Sequence, residues 1–193
     1  MKIGFLGGTF DPIHNGHIGL ALEIAEKKGL DEVLFCPASQ SPHKHSAPTA
    51  PIYRLEMVRL AIEKIPGFRL LAWEASRPGP SYTIDTLRHL EGSDELHLLL
   101  GDDCVERFAD WKEAAEILRI APPYMGTRRR TPPVFAQGMD PLMVQALKEG
   151  VVKTTLLEIS ATDIRHRLEN QLYCGHLVPP EVLAYIQIQG IYY

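Results

Sequence analysis

Short, nearly continuous apolar runs alternate along the chain with longer stretches in which apolar residues recur every three or four positions. The runs Lys2 to Leu6, Glu32 to Cys36, Phe68 to Ala72 and Glu95 to Leu100 have the length and character of strands buried on both faces. Between them, Gly16 to Lys28 and Ile52 to Ile65 repeat at helical spacing, the second through Leu55, Val58, Ala61, Ile62 and Ile65. Ser81 introduces a helix over Tyr82 to Leu90. Further helices are expected over Cys104 to Phe108, after Trp111, over Pro141 to Lys148, and over Glu181 to Gln189 behind Pro179-Pro180. Pro122 to Thr127 reads as a short fifth strand, its opening prolines suiting a strand end or a sheet edge. Val152 to Leu157 is a β-branched strand, followed by Ser160 and Thr162 where a helix N-cap belongs. The alternation predicts an α/β fold, a Rossmann-like doubly wound parallel sheet with helices on both faces. It reads as a single domain over 1–193 with a small helical part from about 160 to 193. In such sheets ligands bind beyond the carboxyl ends of the strands.

Composition narrows the function classes. A chain of 193 residues suits one α/β domain with a substantial core. A net charge of −4 provides no global basic field, so nucleic acid is not an expected partner, and Arg128-Arg129-Arg130 reads as a short solvated turn. No apolar stretch reaches membrane-spanning length and Met1-Lys2 leads straight into a strand, so a cytoplasmic protein without a membrane partner is expected. Cys36, Cys104 and Cys174 are far apart and lack ligand-like spacing to histidine; they read as reduced thiols, and no protein metal site is expected. The segment from Pro37 to Pro51, rich in Pro, Ser and His, is a long loop of the kind that serves as a lid.

The chemistry concentrates directly after the first strand, in Gly7-Gly8-Thr9-Phe10-Asp11-Pro12-Ile13-His14-Asn15-Gly16-His17. A Gly pair at a strand end lets the backbone turn tightly and approach a ligand, and the following helix start offers free N–H groups to a phosphate. His14 and His17 put two imidazoles beside that pocket. The dinucleotide fingerprint G-x-G-x-x-G is absent, and the second strand ends without the acidic residue that would hold a ribose 2′-hydroxyl, which argues against a dehydrogenase. A second strand-to-helix turn, Ile159 to Arg165, combines N-cap hydroxyls with an arginine one turn in.

With these residues the chain resembles the nucleotidylyltransferase superfamily marked by H-x-G-H and, within it, the nicotinate-nucleotide adenylyltransferase branch. The resemblance runs through Gly7 to His17, Pro42-His43-Lys44, Tyr53 to Met57, Ser81 to Leu87, Gly101-Asp102-Asp103 with the later Trp111, Ile159 to Arg165, Val178-Pro179 and Tyr185-Ile186. It implies transfer of the adenylyl group of ATP to nicotinate mononucleotide, giving deamido-NAD and pyrophosphate in NAD biosynthesis. The acceptor phosphate is itself the nucleophile, so positioning and charge stabilisation suffice and no general base is needed. By resemblance, Gly7, Gly8, Thr9, Phe10, His14 and His17 surround the ATP phosphates, with His17 the main stabiliser of charge at the α-phosphorus. Ile159, Ser160, Thr162 and Arg165 suit the β- and γ-phosphates, Gly101 and Asp103 the nucleotide, and Lys44 swings in with its loop as a catalytic residue that also contacts nicotinate mononucleotide. Trp111 stacks on the pyridine ring, and backbone amides at Ile84 and Lys112, with Thr83 adjacent, receive the nicotinate carboxylate. Mg²⁺ is implied as a companion of ATP, held by phosphate oxygens and water.

Departures from the family pattern are Asp102, where a small residue is usual, and Arg128 to Pro132 in place of an Arg-Pro-Gly-like turn. Asp102 either adds charge to the nucleotide pocket or points outward. Alternatives are transfer to nicotinamide mononucleotide or another phosphate acceptor, and a non-catalytic nucleotide sensor. Phosphopantetheine enzymes carry Thr at the position of His14 and lack the Ser-Tyr-Thr and Trp111 features. Retention of His14, His17 and Arg165 together argues against a sensor.

Overall fold

Six strands, all parallel, form one sheet in the order β3-β2-β1-β4-β5-β6 in a computed structural model that describes residues 1–42, 48–92, 94–127, 135–155 and 157–193. In chain order the elements are β1 (Lys2–Gly8), α1 (Asn15–Lys28), β2 (Glu32–Pro37), α2 (Pro51–Ile62), β3 (Phe68–Leu70), α3 (Thr83–Leu90) and β4 (Glu95–Gly101). A 3₁₀ helix (Asp102–Asp110) follows, then α4 (Ala114–Ile120), β5 (Pro123–Thr127), α5 (Pro141–Glu149), β6 (Val151–Lys153), α6 (Ala161–Glu169) and α7 (Pro180–Gln189).

The two faces of the sheet each bury a core, because successive strand residues point to opposite sides. On β1, Phe5 joins Ile84 and Leu87 of α3, Ile117 of α4 and Leu147 of α5. Its neighbour Leu6 joins Leu20 of α1, Met57 of α2, Ile164 of α6 and Ile186 of α7. The C-terminal helices therefore share a core with the sheet. α1 packs closely because Gly126 on β5 carries no side chain: a Cβ there would lie 2.1 Å from Cδ1 of Leu20.

β1 pairs with β2 from Ile3↔Glu32 to Gly8↔Pro37 and with β4 from Lys2↔Glu95 to Phe5↔Leu98. The chain leaves β1 toward β2 and β3, then returns to the other side of β1 for β4, so the connections after β1 and β4 diverge. That reversal opens a crevice at their carboxyl ends, the switch point at which doubly wound sheets bind ligands.

Several elements differ from the sequence expectation. β5 is an interior strand, between β4 and β6; Pro123 is tolerated because it is the first residue of the strand. The helix expected over Cys104 to Phe108 is a longer 3₁₀ helix, and β6 ends at Lys153 rather than Leu157. β3 ends at Leu70, although the Leu71 amide still donates to the Phe35 carbonyl at 2.9 Å. On α2 the buried stripe is Arg54, Met57, Val58 and Ile62, so a cation occupies a position that the apolar period had assigned elsewhere.

Candidate active site

A cleft of about 320 Å³ opens at the switch point, within the range of small-molecule sites. Gly7, Gly8, Thr9 and His17 line it from β1 and α1, Gly101 and Asp103 from the end of β4, and Thr83, Trp111 and Lys112 from the opposite wall. The other expected site residues that the structure describes are not among its lining. The side chains of Phe10, His14 and Ile84 are buried, and Ile159, Ser160, Thr162 and Arg165 lie at the start of α6. Lys44, with its neighbours His43 and His45, lies outside the described residues, as do Arg128 to Pro132.

The H-x-G-H spacing has a local cause. His14 is the N-cap of α1, with extended backbone (φ −146°, ψ 168°), and His17 sits three residues on, one turn along the same side. The two imidazoles stack at 3.6 Å between centroids, and the Phe10 ring meets His17 edge-on at 5.0 Å. Gly16 leaves room for this stack, since a Cβ there would fall 3.1 Å from Nδ1 of His14. The backbone N–H of His14 donates to Nδ1 of His17 at 3.3 Å. With Nδ1 accepting, a neutral His17 carries its proton on Nε2.

Arg165 reaches back from α6 to the same turn. Its Nη1 donates to the Asp11 carbonyl at 2.7 Å and its Nη2 to Oγ1 of Thr162 at 3.4 Å, while Oγ of Ser160 caps the helix by accepting from the Asp163 amide at 3.4 Å. Cβ of Ile159 lies 3.4 Å from where a Cβ of Gly16 would stand, so the N-termini of α1 and α6 adjoin. Two helix N-termini with an arginine between them form an anion-attracting surface that continues from His17.

The opposite wall carries Thr83, Trp111 and Lys112. Trp111 packs on Phe108 at 5.2 Å and still lines the cleft, so it has both a core and a ligand-facing side. Nζ of Lys112 is held by Asp85 at 3.0 Å and lies 4.7 Å from the Tyr82 ring, which turns its charge onto α3. Asp102 is buried and does not point outward, whereas Asp103 faces the cleft.

Sequence reasoning missed Glu74, a buried carboxylate in the cleft wall. Oγ1 of Thr86 donates to it at 2.5 Å, and it takes further hydrogen bonds from Ser81 and Cys36. Burial pushes its carboxyl above the ordinary range, partly countered by these hydrogen bonds. A lone acid between Trp73 and Ala75 carries no spacing signal. Among the described residues no three of His, Cys, Asp and Glu gather as a metal-holding group. A divalent ion that arrives on a nucleotide, held by phosphate oxygens and water, needs no such group.

The sheet, its crevice and the H-x-G-H turn define a nucleotidyl-transfer class. Accordingly, the chain belongs to the cytidylyltransferase-like family, which it matches over residues 5–167. Within that family it is 39% identical to a probable nicotinate-nucleotide adenylyltransferase of Dehalococcoides mccartyi, over 100% of this chain and 98% of the relative. It is 36% identical to the nicotinate-nucleotide adenylyltransferase of Bacillus subtilis, covering 99% and 98%. Among solved structures, the Plasmodium falciparum nicotinic acid mononucleotide adenylyltransferase complexed with NaAD superposes with a TM-score of 0.75 at 17% identity, covering 99% of this chain and 97% of that one. That likeness concerns the fold.

Proposed function

We propose that the chain, as one domain, transfers the adenylyl group of ATP to nicotinate mononucleotide, releasing pyrophosphate and giving deamido-NAD. The observation that carries this reading is the His17 ring, whose Nδ1 accepts from the His14 amide, in the wall of a cleft whose opposite side holds Trp111. An oxygen of the acceptor phosphate attacks the α-phosphorus in line, a new P–O bond forms, and the bond to the β-phosphate oxygen breaks. The nucleophile is already anionic at neutral pH, so the chain's work is orientation and neutralisation of charge. His17 donates from Nε2 to the α-phosphoryl oxygens, with His14 stacked behind it. The backbone of Gly7, Gly8, Thr9 and Phe10 follows the phosphates, and Ile159, Ser160, Thr162 and Arg165 receive the leaving pyrophosphate. Gly101 and Asp103 border the nucleotide. Lys44 assists the transfer and contacts nicotinate mononucleotide.

Mg²⁺ bound with ATP supplies further charge neutralisation on the phosphates. The acceptor's pyridine ring lies on Trp111, and its carboxylate meets the backbone amides of Ile84 and Lys112 beside Thr83. Backbone donors favour the acid, because a carboxamide would present its own NH₂ to them. We place the reaction in the cytoplasm; among the described residues no helix is long and apolar enough to cross a membrane.

The test is to incubate the purified protein with Mg²⁺, ATP and either nicotinate or nicotinamide mononucleotide and to follow pyrophosphate release. Turnover is expected with the acid, at least tenfold above the amide. No turnover with either rejects the reading, and preference for the amide rejects the carboxylate site.

A further inference from the structure

Arg54 is fully buried on α2, behind the β1–α1 turn, and its guanidinium is spent on main chain. Nη1 donates to the Thr9 carbonyl at 2.8 Å, Nε to the Thr49 carbonyl at 2.7 Å and Nη2 to the Ser39 carbonyl at 3.1 Å. Those carbonyls belong to the segment after β1, the segment after β2 and the approach to α2. One fork thus ties three connections at the carboxyl edge of the sheet, and each hydrogen bond ends on a dipole rather than a carboxylate. Burial pushes the guanidinium below its ordinary value, an effect countered in part by the nearby Asp11 carboxylate, which itself accepts from the Tyr192 hydroxyl at 2.5 Å and the Thr49 amide at 3.2 Å.

The Thr9 carbonyl is the informative partner. In a trans peptide the C=O and the following N–H point in opposite directions, so a carbonyl turned onto Arg54 turns the Phe10 N–H away from it. Thr9 itself lines the cleft. Phe10 itself has φ +48°, a left-handed conformation that a bulky side chain adopts only where its surroundings enforce it. Two anchors enforce it here: the Phe10 ring, buried against Phe35 and His17, and the Arg54 grip on the preceding carbonyl.

We propose that Arg54 is a positioning residue for the triphosphate: it holds the Thr9–Phe10 peptide with its N–H toward the cleft and sets a buried positive charge behind it. This rests on the reading of that turn as the ATP phosphate site. A cation buried among dipoles is costly alone and less so once an anion faces it, so its effect falls on ATP more than on the acceptor nucleotide.

The test uses Arg54→Met and Arg54→Lys in the full chain, with Mg·ATP and nicotinate mononucleotide titrated separately by calorimetry, so that no transfer occurs. Arg54→Met is expected to weaken ATP binding at least tenfold and acceptor binding less than threefold. Arg54→Lys keeps the charge without the fork and falls between Met and wild type; it serves alone if Arg54→Met does not fold. A scaffolding role would lower the melting temperature and leave the ratio of the two affinities unmoved. Variants that bind ATP within twofold of wild type, or lose both ligands equally, overturn the proposal. A wild-type chain that binds no ATP instead rejects the phosphate-site reading on which it rests.

Discussion

His17 lines the cleft while its Nδ1 accepts from the His14 amide, so its ring is held at the wall. Loss of one preorganised donor to a developing oxyanion costs roughly 10²–10³ in turnover. His17→Ala should therefore lower kcat by that order while circular dichroism and the melting temperature stay near wild type; near-normal turnover would remove His17 from its role. Glu74 gives a prediction of another kind. Its carboxyl is raised by burial, so the folded chain holds a proton that the unfolded chain, with a value of about 4.3, has released. The associated stability is full below the unfolded value and is lost as pH rises through the raised one. Glutamine does not titrate. The melting temperature of Glu74→Gln relative to wild type should rise from pH 4 toward neutrality, and a difference independent of pH would contradict the assignment.

At the scale of elements, the start of α1 sets a helix propensity against a site. Gly16→Ala improves propensity by up to about 1 kcal/mol, yet its Cβ would crowd the His14 ring at 3.1 Å. The expected outcome is a melting temperature equal to or above wild type with turnover reduced about tenfold, read by thermal melts and pyrophosphate release on the same preparation. Here the motif was legible in the sequence because its cause is local: a strand end, two glycines and residues one helical turn apart. The path of α2 was not. Leu55 and Val58 marked a helical period, but Arg54, Met57, Val58 and Ile62 face inward, because the guanidinium finds three carbonyls that come from other parts of the chain. An arginine in register with a buried stripe was the available signal. β5 shows the same limit: two prolines suit a strand end or a sheet edge alike, and pairing on both sides was settled by β6.

At the scale of the whole molecule, residues distant in sequence close the site. The Tyr192 hydroxyl donates to the Asp11 carboxylate from the far side of α7, and Arg165 reaches the Asp11 carbonyl from α6. Burial raises the Tyr192 hydroxyl far above its ordinary value, so it remains a donor at all working pH values. Tyr192→Phe leaves the carboxylate without that partner and should destabilise the chain by about 1.5–3 kcal/mol, the range for hydrogen bonds to charged groups. Denaturant unfolding checks this; a midpoint unchanged within error would show the contact to be dispensable.

The sequence by itself determined what is periodic or contiguous: the α/β alternation, the phosphate turn with its two histidines, and the Ser160 cap of α6. Those rest on backbone geometry within a few residues. Only the tertiary structure decided which strand reverses the sheet order and so where the cleft opens. It also decided that Glu74 and Arg54 stand in and behind the cleft walls, and that Trp111 and His17 line one cleft. Such choices depend on burial and on hydrogen-bond partners drawn from across the chain, and no local pattern encodes them.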